Sequence, residues 1–338
     1  MGCHDTMILR FWSGQRVLIT GGGGFIGSHL TDQLVESGAA LTVASRTARS
    51  SLHHTVAHQG RVEYLHGDLR DRDFADRCTR DKDIVFHFAS KIAGLGYNCR
   101  HPAEMLSYNA ILDLQVLDAA ARNGVRRFFY PSGALVYDRD APVPVSEAAA
   151  VTGEPVESCK GASWAKRLAE RAIPFFEEEY GMQTIIARFS NIYGPGDDFD
   201  GESAHLIGNT IRLVANNEAP EIWGDGSQLR SYLYVTSAIE AILLLVEERT
   251  ALGAINIGGQ REYTVKDIVD LIIEISGKPL QAIWRPEYPT GLDRKLLDIT
   301  RFRTLTGLHD DLPLKEGLQR TYTWYLESQR YPARSRRP

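Results

Sequence analysis

The sequence predicts an α/β chain built on a doubly wound parallel sheet, with a smaller C-terminal substrate lobe. Three observations point there. Short apolar runs alternate with longer amphipathic stretches from residue 16 onward. The first run, VLITGGGGFIGS at 17–28, reads as strand, glycine turn and helix. A second strand-and-helix unit of the same kind follows it. Gly21 and Gly24 let the backbone turn and approach a pyrophosphate. Gly27 lets the helix lie against the strand, and the helix start at Phe25 and Ile26 aims free N–H groups at the phosphates. This is the Rossmann arrangement, and it predicts a bound dinucleotide.

Composition narrows the class. The chain has 338 residues and a mass of 37.7 kDa, enough to bury a sizeable core. A net charge of -5 and a pI near 6.1 favour neither nucleic acid nor an anionic membrane as partner. The basic run 334–337 reads as a frayed tail. The cysteines, at 3, 78, 99 and 159, are too scattered for a disulfide framework or a metal site. A reducing compartment fits them. No signal peptide or spanning segment is evident, so a cytoplasmic location is expected.

The elements follow in order. The first unit takes residues 16–37, and the second strand 41–44. A dinucleotide site that prefers a free ribose usually ends this strand with an acid. Here stand Ser45 and Arg46, with Arg49 close by, which favours a 2′-phosphate and NADP over NAD. Residues 50–60 read as a surface loop, with His53, His54 and His58 too loosely held for a metal. A third strand at 62–65 ends in Gly67, Asp68 and Leu69, where Asp68 either accepts from the adenine amino group or caps a helix. Strand 84–88 leads to the small residue Ala89, then to a glycine-containing loop, KIAGLGYN, at 91–98. Helix 103–123, strand 127–131, a polar loop at 138–160, helix 161–179 and strand 184–189 complete this half. Beyond it, 191–200 reads as a long loop and 205–214 as a helix. Residues 221–226 and 230–235 read as short edge strands about a turn. Helix 236–248, strand 254–257 and helix 265–276 follow, then an irregular segment at 283–311 and a closing helix at 314–326. The dinucleotide core is therefore expected over 1–190, completed by parts of 236–260. Residues 191–330 would form most of the substrate lobe.

These stretches together resemble the extended short-chain dehydrogenase/reductases that act as nucleotide-sugar epimerases, dehydratases and reductases. The resemblance rests on TGGGGFIG (20–27), GDLRD (67–71), FHFA (86–89), NIYGPGD (191–197) and WGDGSQLRSYLYV (223–235). KIAGLGYN and DGESAHLI (200–207) are most similar to the GDP-fucose-synthase-like members. The resemblance implies a nucleoside-diphosphate sugar as ligand, NADP or NAD as cofactor, and a homodimer joined through helices 103–123 and 161–179. It implies that Lys166 holds the nicotinamide ribose and tunes the local field, and that His205 exchanges a proton with the sugar. Asn191, Arg230 and Arg294 would hold the diphosphate, and Trp223 would pack on the base.

Two departures matter. The family's tyrosine, four residues before the lysine, is Ala162 here, and its serine position is Gly133. Neither can move a proton, and general acid–base catalysis contributes roughly 10²–10⁴-fold. Ser132, Cys159, Lys160, Ser163 and His205 are the candidate substitutes. A binding protein without turnover, and an isomerase or lyase working by proton abstraction beside an existing carbonyl, both stay open.

Overall fold

The computed structural model describes residues 11–47, 58, 60–149, 151–200, 204–247, 253–288, 290–308 and 312–330. Arg49, His53, His54 and the basic run 334–337 lie outside the described residues.

The main sheet is parallel throughout. β1 (Arg16–Thr20) has β2 (Ala40–Ser45) and β3 (Val62–His66) on one side. On the other lie β4 (Ile84–His87), β5 (Arg127–Gly133), β6 (Gln183–Phe189) and, from later in the chain, β10 (Gly253–Ile257). Alternation along β1 sends Val17 and Ile19 to one face and Leu18 to the other, and all three are buried. Such double burial is why the strand reads as an unbroken apolar run. On the first face pack α1 (Phe25–Glu36), through Leu30 and Leu34, and α7 (Val235–Glu247), through Ala238 and Ile242. On the second pack α2 (Arg72–Thr79), α4 (Pro102–Arg122) and α5 (Lys160–Tyr180), through Phe74, Val116 and Ile173. The strand order reverses between β1 and β4. Sheets of this kind bind ligands in the crevice at that reversal, beyond the carboxyl ends of the strands.

The second lobe grows directly out of the sheet. β6 gives way after one residue, Ser190, to β7 (Asn191–Tyr193). β7 pairs with β9 (Leu229–Tyr234), which also carries β11 (Glu262–Thr264) and β13 (Arg294–Lys295). A separate pair joins β8 (Glu221–Trp223) to β12 (Ile283–Arg285). The lobe's own core lies between α6 (Leu206–Ala215), α8 (Val265–Ser276) and α10 (Leu314–Arg330), with Ile207, Ile211, Ile268, Ile272 and Leu318 buried.

Several sequence expectations are corrected. Residues 191–200 do not begin as loop: β7 forms because β9 offers it a partner. Residues 221–226 and 230–235 are not one hairpin, since β8 and β9 belong to different sheets and β9 has neighbours on both sides. The glycine-containing loop holds α3 (Leu95–Arg100). Residues 283–311 contain β12, β13 and α9 (Thr300–Thr306). His58 is buried rather than in a solvated loop, with Nε2 2.6 Å from Asp32 Oδ1. Among the described residues no helix is long and apolar enough to cross a membrane, and no cluster of metal-ligating side chains forms.

Candidate active site

A single cleft of about 1250 Å³ runs from the glycine turn to the second lobe. Single-ligand pockets occupy roughly 300–1,000 Å³, so this one has room for two ligands end to end.

At the first end Gly21, Gly24, Phe25, Ile26 and Gly27 all line the cleft. Gly21 has φ +69°, and a Cβ on it would lie 2.7 Å from the backbone N of Ala89, so the ends of β1 and β4 meet here. A Cβ on Gly27 would lie 2.4 Å from the carbonyl O of Gly21, which fixes how closely α1 sits on the turn. No side chain caps the N-terminus of α1. Its first N–H groups and the positive end of its dipole therefore face the cleft, a fit for the phosphates of a dinucleotide.

Ser45, Arg46, Asp68, Leu69 and Ala89 line the same end. Ser45 Oγ accepts from the N–H of Thr47 at 3.0 Å. The Arg46 guanidinium packs 5.1 Å over the Tyr108 ring, and Arg70 packs 4.1 Å over the same ring. Arg70 grips Asp68 through Nη2–Oδ2 at 2.6 Å and Nε–Oδ1 at 3.1 Å, and holds its carboxyl below the usual range. Asp68 is not the helix cap. That role falls to Asp71, which accepts from the N–H of Phe74 at 2.8 Å.

Midway along the cleft stand Lys166, Ala162, Gly133, Ser132 and Cys159. Lys166 and Ala162 are one turn apart on α5 and share its inner face. Ser132 Oγ is buried without a hydrogen-bond partner. Two of the candidate substitutes fall away. Lys160 turns outward to Glu157, and Ser163 donates back to the Cys159 carbonyl at 3.0 Å, a common outlet for a hydroxyl inside a helix.

The far end gathers charge. Asn191, His205, Trp223 and Arg230 line it, as the sequence suggested, together with Lys295 and Asp197, which it did not. Arg294 does not. β13 pairs with β9 so that Lys295 lies opposite Arg230 and Arg294 opposite Leu229. With side chains alternating between faces, Lys295 joins Arg230 on the cleft side. Arg294 is sent to the other side, where Glu262 takes it at 2.6 Å. Neither Arg230 nor Lys295 is in a salt bridge among the described residues. Enclosure by protein lowers the pKa of both, and Arg230 lowers that of Lys295 further. Asn191 Nδ2 donates to the Ser231 carbonyl at 3.2 Å. Trp223 is exposed to the cleft rather than packed in a core, stacked on Tyr288 with ring centres 5.1 Å apart.

His205 stands at the N-cap of α6 without capping it. Its side chain is exposed and lines the cleft, yet desolvation by the protein around it lowers its pKa; Asp198 opposes this and Lys295 reinforces it. A neutral imidazole accepts a proton more readily than it gives one. Enclosure pushes the Asp197 carboxyl up to about 7.

The comparisons with known proteins agree with this fold. The family model described as the NAD dependent epimerase/dehydratase family matches residues 17–258, and the chain belongs to that family. It is 30% identical over 321 residues to the probable GDP-L-fucose synthase 1 of Oryza sativa subsp. japonica, covering 93% of each. Among solved structures it is similar to an epimerase of Methanothermobacter thermautotrophicus, with a TM-score of 0.88, 29% identity and 97% of each chain covered. It is also similar to MoeE5 in complex with UDP-glucose and NAD, with a TM-score of 0.79, 26% identity, and 93% of this chain and 99% of that one covered.

Proposed function

We propose that this protein is a nucleotide-sugar-modifying oxidoreductase, an epimerase or a 4-keto-sugar reductase. One observation carries the reading. A single cleft joins an uncapped helix N-terminus to two enclosed cations in no salt bridge among the described residues, and Lys166 stands between. A bound nicotinamide dinucleotide supplies the hydride acceptor or donor. Gly21, Gly24, Phe25, Ile26, Gly27, Leu69 and Ala89 would cradle it, with Lys166 on its nicotinamide ribose. Ser45 and Arg46 support NADP over NAD, because Arg46 is stacked but in no salt bridge among the described residues, and Asp68 is already occupied by Arg70. The dinucleotide half would be 1–190 with parts of 236–260, and the sugar half 191–330.

Arg230 and Lys295 would take the sugar nucleotide's diphosphate, with Asn191 beside them and Trp223 with Tyr288 as a platform for the base. His205, neutral at pH 7, would accept the sugar's proton. The homodimer would form on the outer faces of α4 and α5, where Ile111, Trp164, Leu168 and Phe175 are exposed. The cysteines at 78, 99 and 159 are free, which supports a reducing, cytoplasmic setting.

A second reading has its own observation. Ala162 and Gly133 line the cleft beside Lys166, so a protein that binds both ligands without turnover would look the same. The experiment is to titrate the purified protein with NADPH and NADH, then add a panel of UDP-, GDP- and dTDP-sugars and their 4-keto forms, following absorbance and product mass. Binding of the cofactor with a changed sugar mass, or consumption of NADPH, is expected. Binding of both ligands without product selects the second reading, and no binding of either dinucleotide overturns both.

A further inference from the structure

Beneath the cleft floor lies a carboxylate that nothing above uses. Asp113, on α4, is 1% exposed. A bare charge at such depth is not tolerated, and Asp113 is met by three groups. His87 Nε2 lies 3.1 Å from Oδ1. The Tyr130 hydroxyl donates to Oδ2 at 2.5 Å. Lys166 Nζ stands 3.9 Å from Oδ2 and 4.4 Å from the centre of the Tyr130 ring. Behind His87, Nδ1 is 2.8 Å from Thr20 Oγ1, which accepts from the N–H of Ala89 at 3.1 Å. A carboxylate can only accept, so His87 donates to Asp113 through Nε2.

We propose that Asp113 is a positioning residue for Lys166: its carboxylate anchors the ammonium to the inner wall of the cleft and so sets where that cation meets the cofactor ribose. One turn earlier on α5, Ala162 presents only a methyl group, so no hydroxyl does this from the lysine's own helix. Opposite charge from Lys166 and the His87 bond hold the Asp113 carboxyl below its usual range, against the pull of burial. An ammonium answered in this way still donates hydrogen bonds to a ribose. The proposal rests on the nicotinamide reading of the cleft.

A double-mutant cycle tests it. The Kd for NADPH, or for NADH if that binds more tightly, is read from nicotinamide fluorescence for the wild type, Asp113→Asn, Lys166→Met and the double variant. Thermal melting of each free protein is recorded alongside. Each single change is expected to weaken binding about 10-fold, the order of a lost charge-assisted hydrogen bond, and the double variant no more than Lys166→Met alone. Asp113→Asn is expected to melt lower than the wild type, and the double variant to recover part of the loss, since no lone charge is left. Wild-type affinity in Asp113→Asn, or a double variant weakened by the product of the two factors, overturns the proposal. If Asp113→Asn does not fold, the double variant decides: recovery of a folded protein supports the pair, and no recovery overturns it. If the wild type binds neither dinucleotide, the nicotinamide reading has failed, and equal melting of Asp113→Asn and the double variant then overturns the ion pair on its own.

Discussion

Arg230 and Lys295 stand opposite one another on neighbouring strands, each enclosed and neither in a salt bridge among the described residues. Enclosing a cation without a salt-bridge partner costs free energy that a ligand's diphosphate would return. Arg230→Met and Lys295→Met should therefore each weaken binding of a UDP- or GDP-sugar by about 10- to 100-fold. The free protein should melt no lower than the wild type, and calorimetry with thermal melting checks both halves. Asp197 is another enclosed titratable residue, its carboxyl accepting from the N–H of Asp198 at 2.8 Å. Its folded pKa is raised to about 7, so its stability contribution is complete below the unfolded value near ~4 and is lost as pH rises through 7. Asp197→Asn should be more stable than the wild type at pH 8, by less than about 4 kcal/mol because water in the cleft screens the charge, and equal to it near pH 4. Melting curves across that range decide it. Gly133 and Ala162, where the family resemblance implies a serine and a tyrosine, give a third test. Gly133 has an extended φ of -159°, and a Cβ there would find its nearest neighbour at 3.6 Å, so serine fits. Gly133→Ser with Ala162→Tyr should raise turnover of a sugar hydroxyl by roughly 10²–10⁴-fold, measured as NADP or NAD reduction. Arg230 was legible in the sequence; Lys295 was not. Two adjacent cations in a two-residue strand point opposite ways, and only the pairing with β9 says which one faces the cleft.

Elements were legible where period and length were strong. α4 and α5 fall within a residue of where their apolar spacing puts them. β7, β12 and β13 were not, because strands of two or three residues have too little pattern of their own and exist only through distant partners. The same limit applies to the glycines. Gly21, Gly24 and Gly27 follow from the turn, but Gly22 is required by β2, since a Cβ on it would lie 2.8 Å from the Val43 side chain. Gly161 is required by α4: a Cβ there would lie 2.1 Å from the Pro102 carbonyl, where the two helices touch backbone to backbone. Gly161→Ala should push α5 off α4 and cost about 1–3 kcal/mol in denaturant unfolding, with Lys166 displaced and cofactor affinity lowered as well.

At the scale of the whole molecule, α4 and α5 pair with each other and leave apolar side chains outside. Phe175 is 68% exposed and Ile111 53% exposed. Leu168→Glu with Phe175→Glu should turn a dimer into a monomer, measured by light scattering during size-exclusion chromatography, without unfolding either subunit. A wild type that is already monomeric would refute the interface. The passage from β6 to β7 through Ser190 alone has a different consequence. Two lobes joined by this strand-like span, with Ser190 N–H bound to the Ile257 carbonyl at 2.9 Å, and by the direct run of β9 into α7, do not swing like jaws on a flexible tether. X-ray scattering should therefore report nearly the same radius of gyration for the empty and the loaded protein.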